Sequence, residues 1–142
     1  MAQGEGYAVT AKNGAIRIVA YHYCHYDKLY LEKYAVAMSV GERYHVFVEK
    51  MDLCYRFALE NMPPGEYEIE FYSVGRSGGS AFDAWVAMGM PSQLRPTRLK
   101  YMMDISNPFY SIVRQNTENG ILSVEMSLKP HQVLMAIVSQ IK

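Results

Sequence analysis

The chain has 142 residues, half of them hydrophobic, with twelve Tyr and ten Met. Its fourteen basic and fourteen acidic residues cancel and are spread evenly, so the basic stripe of a nucleic-acid binder is missing. No apolar run approaches the ~18 residues of a membrane span, and the opening residues lack the basic-then-apolar order of a signal peptide. That length suits one domain, residues 1–142, with room for a real core.

Tyr7-Ala8-Val9-Thr10 reads as a short strand. Asn13-Gly14 is a hairpin turn, because both residues tolerate positive φ. Residues 15–23 return as a strand with Ile16, Ile18 and Ala20 on one face. Residues 24–48 have no clean period. Leu29, Leu31 and Tyr34 fit a helical turn or an irregular loop, and a further strand is placed at Tyr44–Val48. A long, partly ordered excursion of this kind is usually functional or interfacial. Residues 51–60 alternate, with Leu53, Tyr55, Phe57 and Leu59 facing one way.

The stretch Pro63–Pro91 organises the rest of the chain around it. Pro63-Pro64-Gly65 turns the backbone into a strand in which Tyr67, Ile69 and Phe71 alternate with Glu66, Glu68 and Glu70. The three glutamates read as a solvated face. Gly75, Gly78 and Gly79 break the strand, and Ser80 caps a short helix carrying Phe82, Trp85 and Val86 until Gly89 and Pro91 stop it. A second short helix opens at Pro96-Thr97, carries Leu99, Met102 and Met103 on one side, and ends at Asn107-Pro108.

The last third is strand. Residues 109–116 form one, and Glu118-Asn119-Gly120 turns the chain. Leu122, Val124, Met126 and Leu128 then face inward. After the Lys129-Pro130-His131 turn, residues 132–141 are apolar on both faces, which suits a central strand. The fold class is mainly β: an antiparallel β-sandwich of about seven or eight strands, with two short helices inserted near residues 80–105.

Chemical motifs are sparse. His22 and His25 are three apart, so on a strand they point to opposite faces and cannot share a metal without a bend. No metal ligand and no cofactor is assigned. Pairing Cys24 or Cys54 with His45 as a nucleophile lacks a neighbour that would lower the thiol pKa. Both cysteines are expected as buried free thiols, in a reducing, cytoplasmic setting. Gly75-Arg76-Ser77-Gly78-Gly79 has neither the P-loop lysine nor the dinucleotide pattern. Trp85, with Phe82 at helical spacing, is expected in the core, and the alternative is a sugar-stacking platform.

Taken together, these residues resemble the C-terminal β-sandwich of glycoside hydrolase family 39, the β-xylosidases related to α-L-iduronidase. The resemblance runs through the Pro63-Pro64-Gly65 turn, Tyr67-Glu68-Ile69, Gly79-Ser80-Ala81-Phe82-Asp83-Ala84-Trp85, and Met88-Gly89 before Pro91. It continues in Gly6–Thr10, in Tyr23–Tyr30, around Leu99-Lys100-Tyr101, and in Leu128–Leu134. The family usually has an Asp-Arg pair and then a His before the Gly-Ser-Ala segment. Here Gly75 stands for the Asp, Arg76 is kept, and Gly78 stands where the His would be. His22 sits where Asn is commoner.

In that family, catalysis belongs to two glutamates on a (β/α)8 barrel. This chain has no Asn-Glu dipeptide of the related acid/base motif, and it is too short for a barrel of about 250 residues. The resemblance therefore implies a non-catalytic accessory domain of a larger xylan 1,4-β-xylosidase-like enzyme. Its partner is the missing barrel of the same polypeptide. The contact residues, to that barrel or to xylo-oligosaccharide, are expected among His25, Tyr26, Tyr30, Arg76 and Trp85, and homo-oligomers are allowed. The alternatives are a carbohydrate-binding module, or part of a sugar-responsive regulator.

Overall fold

In the computed structural model, described for residues 2–32 and 39–141, eight strands form two antiparallel layers. The strands are β1 (Ala2–Gly4), β2 (Tyr7–Lys12), β3 (Ala15–Tyr21), β4 (Leu53–Leu59), β5 (Glu66–Val74), β6 (Phe109–Asn116), β7 (Leu122–Leu128) and β8 (Val133–Gln140). Three α-helices join them: α1 (Lys28–Leu31), α2 (Ala81–Ala87) and α3 (Pro96–Ile105). A 3-10 helix covers Val40–Val46.

One sheet has six strands in the order β1-β2-β3-β8-β5-β6, and the second layer is the pair β4-β7. The final strand is central, flanked by β3 and β5, as its two apolar faces predict. Two tight turns arise from their dipeptides: Asn13-Gly14 closes the β2–β3 hairpin, and Asn119-Gly120 reverses the chain between the two sheets through the single Glu118–Ile121 bridge. Asn13 (φ 53°) with Gly14 (φ 76°), and Asn119 (φ 52°) with Gly120 (φ 76°), occupy the left-handed region that these residues tolerate best.

The alternation of β7 puts Leu122, Val124, Met126 and Leu128 in the interior, each at most 1% exposed. They meet Ile18 and Ala20 of β3, Tyr67 and Ile69 of β5, and Leu134, Ala136 and Val138 of β8. β4 covers the β2 side, where the Tyr7 ring stands edge-on to Tyr55 at 5.5 Å and Phe57 at 5.2 Å. β7 lies over β3 and β8. The second layer is thus narrower than the first, and among the described residues β5 and β6 carry no strand of this layer above them.

Several sequence expectations are corrected. Tyr44–Val48 is not a strand. Ser39 and Glu42, three apart, lock a 3-10 turn: Ser39 donates to Glu42 Oε2 from its backbone N at 3.2 Å and from Oγ at 2.7 Å. Only a single bridge, Tyr26 to Phe47, remains extended there. Strand β3 stops at Tyr21, not residue 23, and β1 is an addition to the expected strands. Cys54 is exposed, because it lies on the outward side of β4; Cys24 is buried, and both thiols are free. Residues 33–38 of the illegible stretch, Tyr34 among them, lie outside the described residues.

The outer face of the large sheet is less wet than the glutamates suggest. Glu68 and Glu70 are half-buried. Glu70 accepts from Tyr72 at 2.8 Å and from Tyr110 at 3.0 Å, and Glu68 pairs with Arg114 at 3.2 Å. Across this face Val19, Met135, Tyr72 and Tyr110 form one rung in register.

Candidate functional site

The loops at one end of the sandwich gather two arginines among aromatic rings. Asp27 caps α1 by accepting the Tyr30 backbone N–H at 3.2 Å, which sets one helical turn. That turn places Tyr26 and Tyr30, four apart, one above the other. Their rings stack at 3.9 Å and 14°. The other face of the cluster is Phe47, stacked on Tyr26 at 4.8 Å.

The 3-10 helix delivers Arg43 and Tyr44. The Arg43 guanidinium donates to the Val40 carbonyl and to Asp83 Oδ1, each at 2.6 Å. It also lies 4.4 Å from the Tyr44 ring centre and 4.3 Å from that of Phe82. Planarity allows this double use, with the edge bonding the carboxylate and the faces meeting rings. Asp83 is held as an acceptor from three sides, since Tyr44 donates to it at 3.1 Å and Ser80 Oγ at 2.5 Å. Ser80 in turn caps α2, taking the Asp83 backbone N–H at 3.2 Å.

Arg76 sits in the glycine turn after β5, where the Gly75 backbone N–H donates to the Gly78 carbonyl at 2.7 Å. Its guanidinium lies 3.6 Å from the Tyr44 ring centre. Among the described residues no carboxylate pairs with it. His131 closes the cluster against Tyr44 and Phe47. Burial, and then the Arg76 charge nearby, pushes its pKa below the ordinary value. Burial, and then the Asp83 charge, pushes the Tyr44 hydroxyl up. A pocket of about 360 Å³ opens beside these rings, lined by Tyr26, Tyr30, Val40, Arg43, Tyr44 and Phe47.

Of the five residues singled out in the sequence, Tyr26, Tyr30 and Arg76 converge here. Tyr26 and Tyr30 stack on each other, so they do not form a side-by-side platform. Trp85 does not line the pocket. It is half-buried, 5.8 Å from Phe82, and its indole N–H donates to the Pro91 carbonyl at 3.1 Å. The expectation of a core tryptophan therefore holds only in part, because α2 has no fully buried residue.

His25 turns to Glu49 instead. Its backbone N–H donates to Oε2 at 2.6 Å and Nδ1 contacts Oε1 at 2.8 Å. These bonds hold Glu49 down from 4.5 to about 2. A depressed carboxylate adds stability that is complete above the unfolded value and lost as pH falls through about 2. We expect the Glu49 carboxyl resonance to titrate near 2, and to move upward part of the way in His25→Ala, where the backbone donor survives. A midpoint near 4.5 in the unaltered chain would remove this pairing.

Sequence reasoning misses Arg43, Tyr44, Phe47 and His131. The first three lie in the aperiodic stretch, and His131 reads locally as a turn residue. Phe82 and Asp83 fall in the Gly79–Trp85 segment that the sequence marks, though neither is singled out there as a contact residue. Burial pushes the Cys24 thiol up, which disfavours its thiolate.

The arrangement is that of an antiparallel β-sandwich with a cation–aromatic surface at its loop end. Solved structures with this fold were found, whereas no protein-family model and no curated protein matches the chain. The GH39 enzyme from Xanthomonas axonopodis pv. citri is similar over 97% of this chain, with TM-score 0.73 and 15% identity, but over only 26% of its own length. A monomeric β-xylosidase from Caulobacter crescentus CB15 is similar over 99% of this chain and 27% of its own, with TM-score 0.69 and 17% identity. A bacterial orthologue of human α-L-iduronidase gives TM-score 0.64 at 13% identity, over 96% of this chain and 22% of its own. The resemblance to family 39 seen in the sequence is thus present in the fold, and this chain spans about a quarter of each such enzyme.

Proposed function

We propose that this chain is the non-catalytic accessory sandwich of a β-xylosidase-like glycoside hydrolase, and that it packs against a catalytic (β/α)8 barrel of the same polypeptide. The observation that carries the reading is the length relation: the whole chain superposes on about a quarter of the family 39 enzymes. The loop end supports it. Arg76, free of a carboxylate partner among the described residues, and the exposed Tyr26–Tyr30 stack are the groups a neighbouring domain would cover. The cytoplasm remains our proposed location, on the two free thiols.

Co-expression with the catalytic barrel of the parent polypeptide should give a complex that survives gel filtration at micromolar concentration. Arg76→Ala should weaken it. Separate elution of the two parts would overturn the reading.

A second reading, a carbohydrate-binding module, draws on the exposed Tyr26 and Tyr30 rings. Trp85 is the single tryptophan, so its emission reports any sugar near α2. With its N–H already bonded to Pro91, we expect no saturable shift on titration with xylose, xylobiose or longer xylo-oligosaccharides. A saturable shift would favour the binding module.

A further inference from the structure

A second cleft, of about 340 Å³, lies where β5 and β7 run out. Lys50, Asp52, Arg76, Ser77, Lys129 and Gln132 line it, and it shares no lining residue with the pocket beside the aromatic rings. Lys50, Arg76 and Lys129 are exposed cations, and Asp52 is the one carboxylate of the cleft. Among the described residues neither these cations nor Asp52 is in an ion pair. The cleft therefore carries a surplus of two positive charges.

The donors are held in place. Lys50 donates to the Tyr44 carbonyl at 3.4 Å and to the His45 carbonyl at 3.0 Å, which leaves one N–H of its ammonium. The Arg76 guanidinium lies over the Tyr44 ring, 3.6 Å from its centre, which leaves its N–H edge. Gln132 Oε1 accepts the Lys129 backbone N–H at 2.8 Å, so its NH2 group remains a donor. The glycine turn permits this packing, since a Cβ at Gly75 would stand 3.1 Å from Gln132 Cγ.

Like charges gathered on one cleft repel each other until an anion joins them. We propose that this cleft is a phosphate-binding site, which takes the phosphate group as the free ion or as a monoester. At neutral pH a phosphate monoester carries about 1.5 to 2 negative charges and three strong acceptor oxygens. That matches the surplus charge and the donors of Lys50, Arg76, Lys129, Ser77 and Gln132. A simple carboxylate, with one charge and two oxygens in a plane, engages fewer of them. The site does not rest on the accessory-domain reading, because every group it uses lies within this chain.

Inorganic phosphate and glycerol 3-phosphate are the probes, titrated separately into the 142-residue chain at about pH 8 and constant ionic strength, with backbone amides followed by NMR. The expected result is saturable shifts at Gly75–Ser77 and Lys129–Gln132, with a dissociation constant of about 1 mM or below for at least one of the two. Binding of either supports the site, and the tighter of the two tells a free from an esterified ligand. Acetate should bind at least about tenfold more weakly. Lys50→Gln, Arg76→Gln and Lys129→Gln should each weaken phosphate binding about tenfold, and Asp52→Asn should strengthen it. Lys100→Gln, exposed on α3 and outside the cleft, should change it less than about twofold. His131 supplies a second readout, because its pKa is held down by burial and by Arg76 and His22, against Asp83 and Glu49. Sulfate, a tetrahedral dianion throughout the titration, should raise the His131 midpoint in the unaltered chain and not in Arg76→Gln. The proposal is overturned by absence of saturable binding of both phosphates, by equal losses in Lys100→Gln and Arg76→Gln, or by a His131 midpoint that sulfate leaves in place. A chain that binds phosphate but no barrel keeps this site and loses the accessory role. A chain that binds the barrel but no phosphate keeps the accessory role and loses this site.

Discussion

Leu128→Ala is expected to destabilise the domain by about 2–5 kcal/mol, the largest single loss we anticipate. Leu128 is fully buried and belongs to the interior cluster in which β7 meets β3, β5 and β8. It also sits opposite Leu53 of β4, so removal of three carbons opens a void touching both layers. Little nearby can collapse into it, because the surrounding positions are held by the register of two sheets. Domains are stable by only about 5–15 kcal/mol, so this one change consumes a large part of the total. Urea denaturation of the variant should show a lower midpoint with an unchanged slope. Ile112→Ala, at an exposed position of β6, should cost under about 0.5 kcal/mol. Equal losses at the two positions would mean that the interior is not where the layers place it.

Asp83→Ala should cost about 1.5–3 kcal/mol. Its side chain is 15% exposed and that of Arg43 is 23% exposed, so the pair is neither fully buried nor freely solvated. Removing the carboxylate takes the partner from a guanidinium wedged between Tyr44 and Phe82, and from the Tyr44 and Ser80 hydroxyls. Most of the loss comes from leaving Arg43 half-buried and unpaired. The double variant Asp83→Ala/Arg43→Leu should therefore be more stable than Asp83→Ala alone. A double-mutant cycle by urea denaturation measures the coupling directly. Additive losses would show that the two side chains do not act as a pair.

Much of the fold can be read from periodicity. β7 alternates so cleanly, with Leu122, Val124, Met126 and Leu128 inward, that its interior face is evident from the letters alone. β8 has apolar residues on both sides, and that marks it as central without knowledge of any pairing. Chain order cannot show that β4 leaves the main sheet to pair with β7, because pairing at that separation is set by tertiary packing. The 3-10 helix at Val40–Val46 reads wrongly as strand at its end. Val46 and Val48 suggest alternation, while the Ser39–Glu42 contact that decides the matter is a three-residue detail.

The candidate site is only partly legible. Tyr26 and Tyr30 stand out for their rings, and Arg76 for its place in a recognised motif. Arg43 does not, because nothing local marks an arginine that meets Asp83 forty residues away. His25 is expected at the contact surface, but its bonds go to Glu49, twenty-four residues on. Long-range pairs of this kind leave no periodic trace.

The order of strands bears on how the polypeptide is born. Among the described residues β3 and β5 are joined through β8, the last of these eight strands in chain order. Until residues 133–140 leave the ribosome, the nascent chain holds two separate hairpins, β2–β3 and β5–β6. Each has a raw edge that the finished sheet conceals. At about 5–20 residues per second that interval lasts seconds, long enough for a second nascent chain to meet those edges. The domain is thus most vulnerable to aggregation just before completion, and a ribosome that stalls near Pro130 would prolong that exposure.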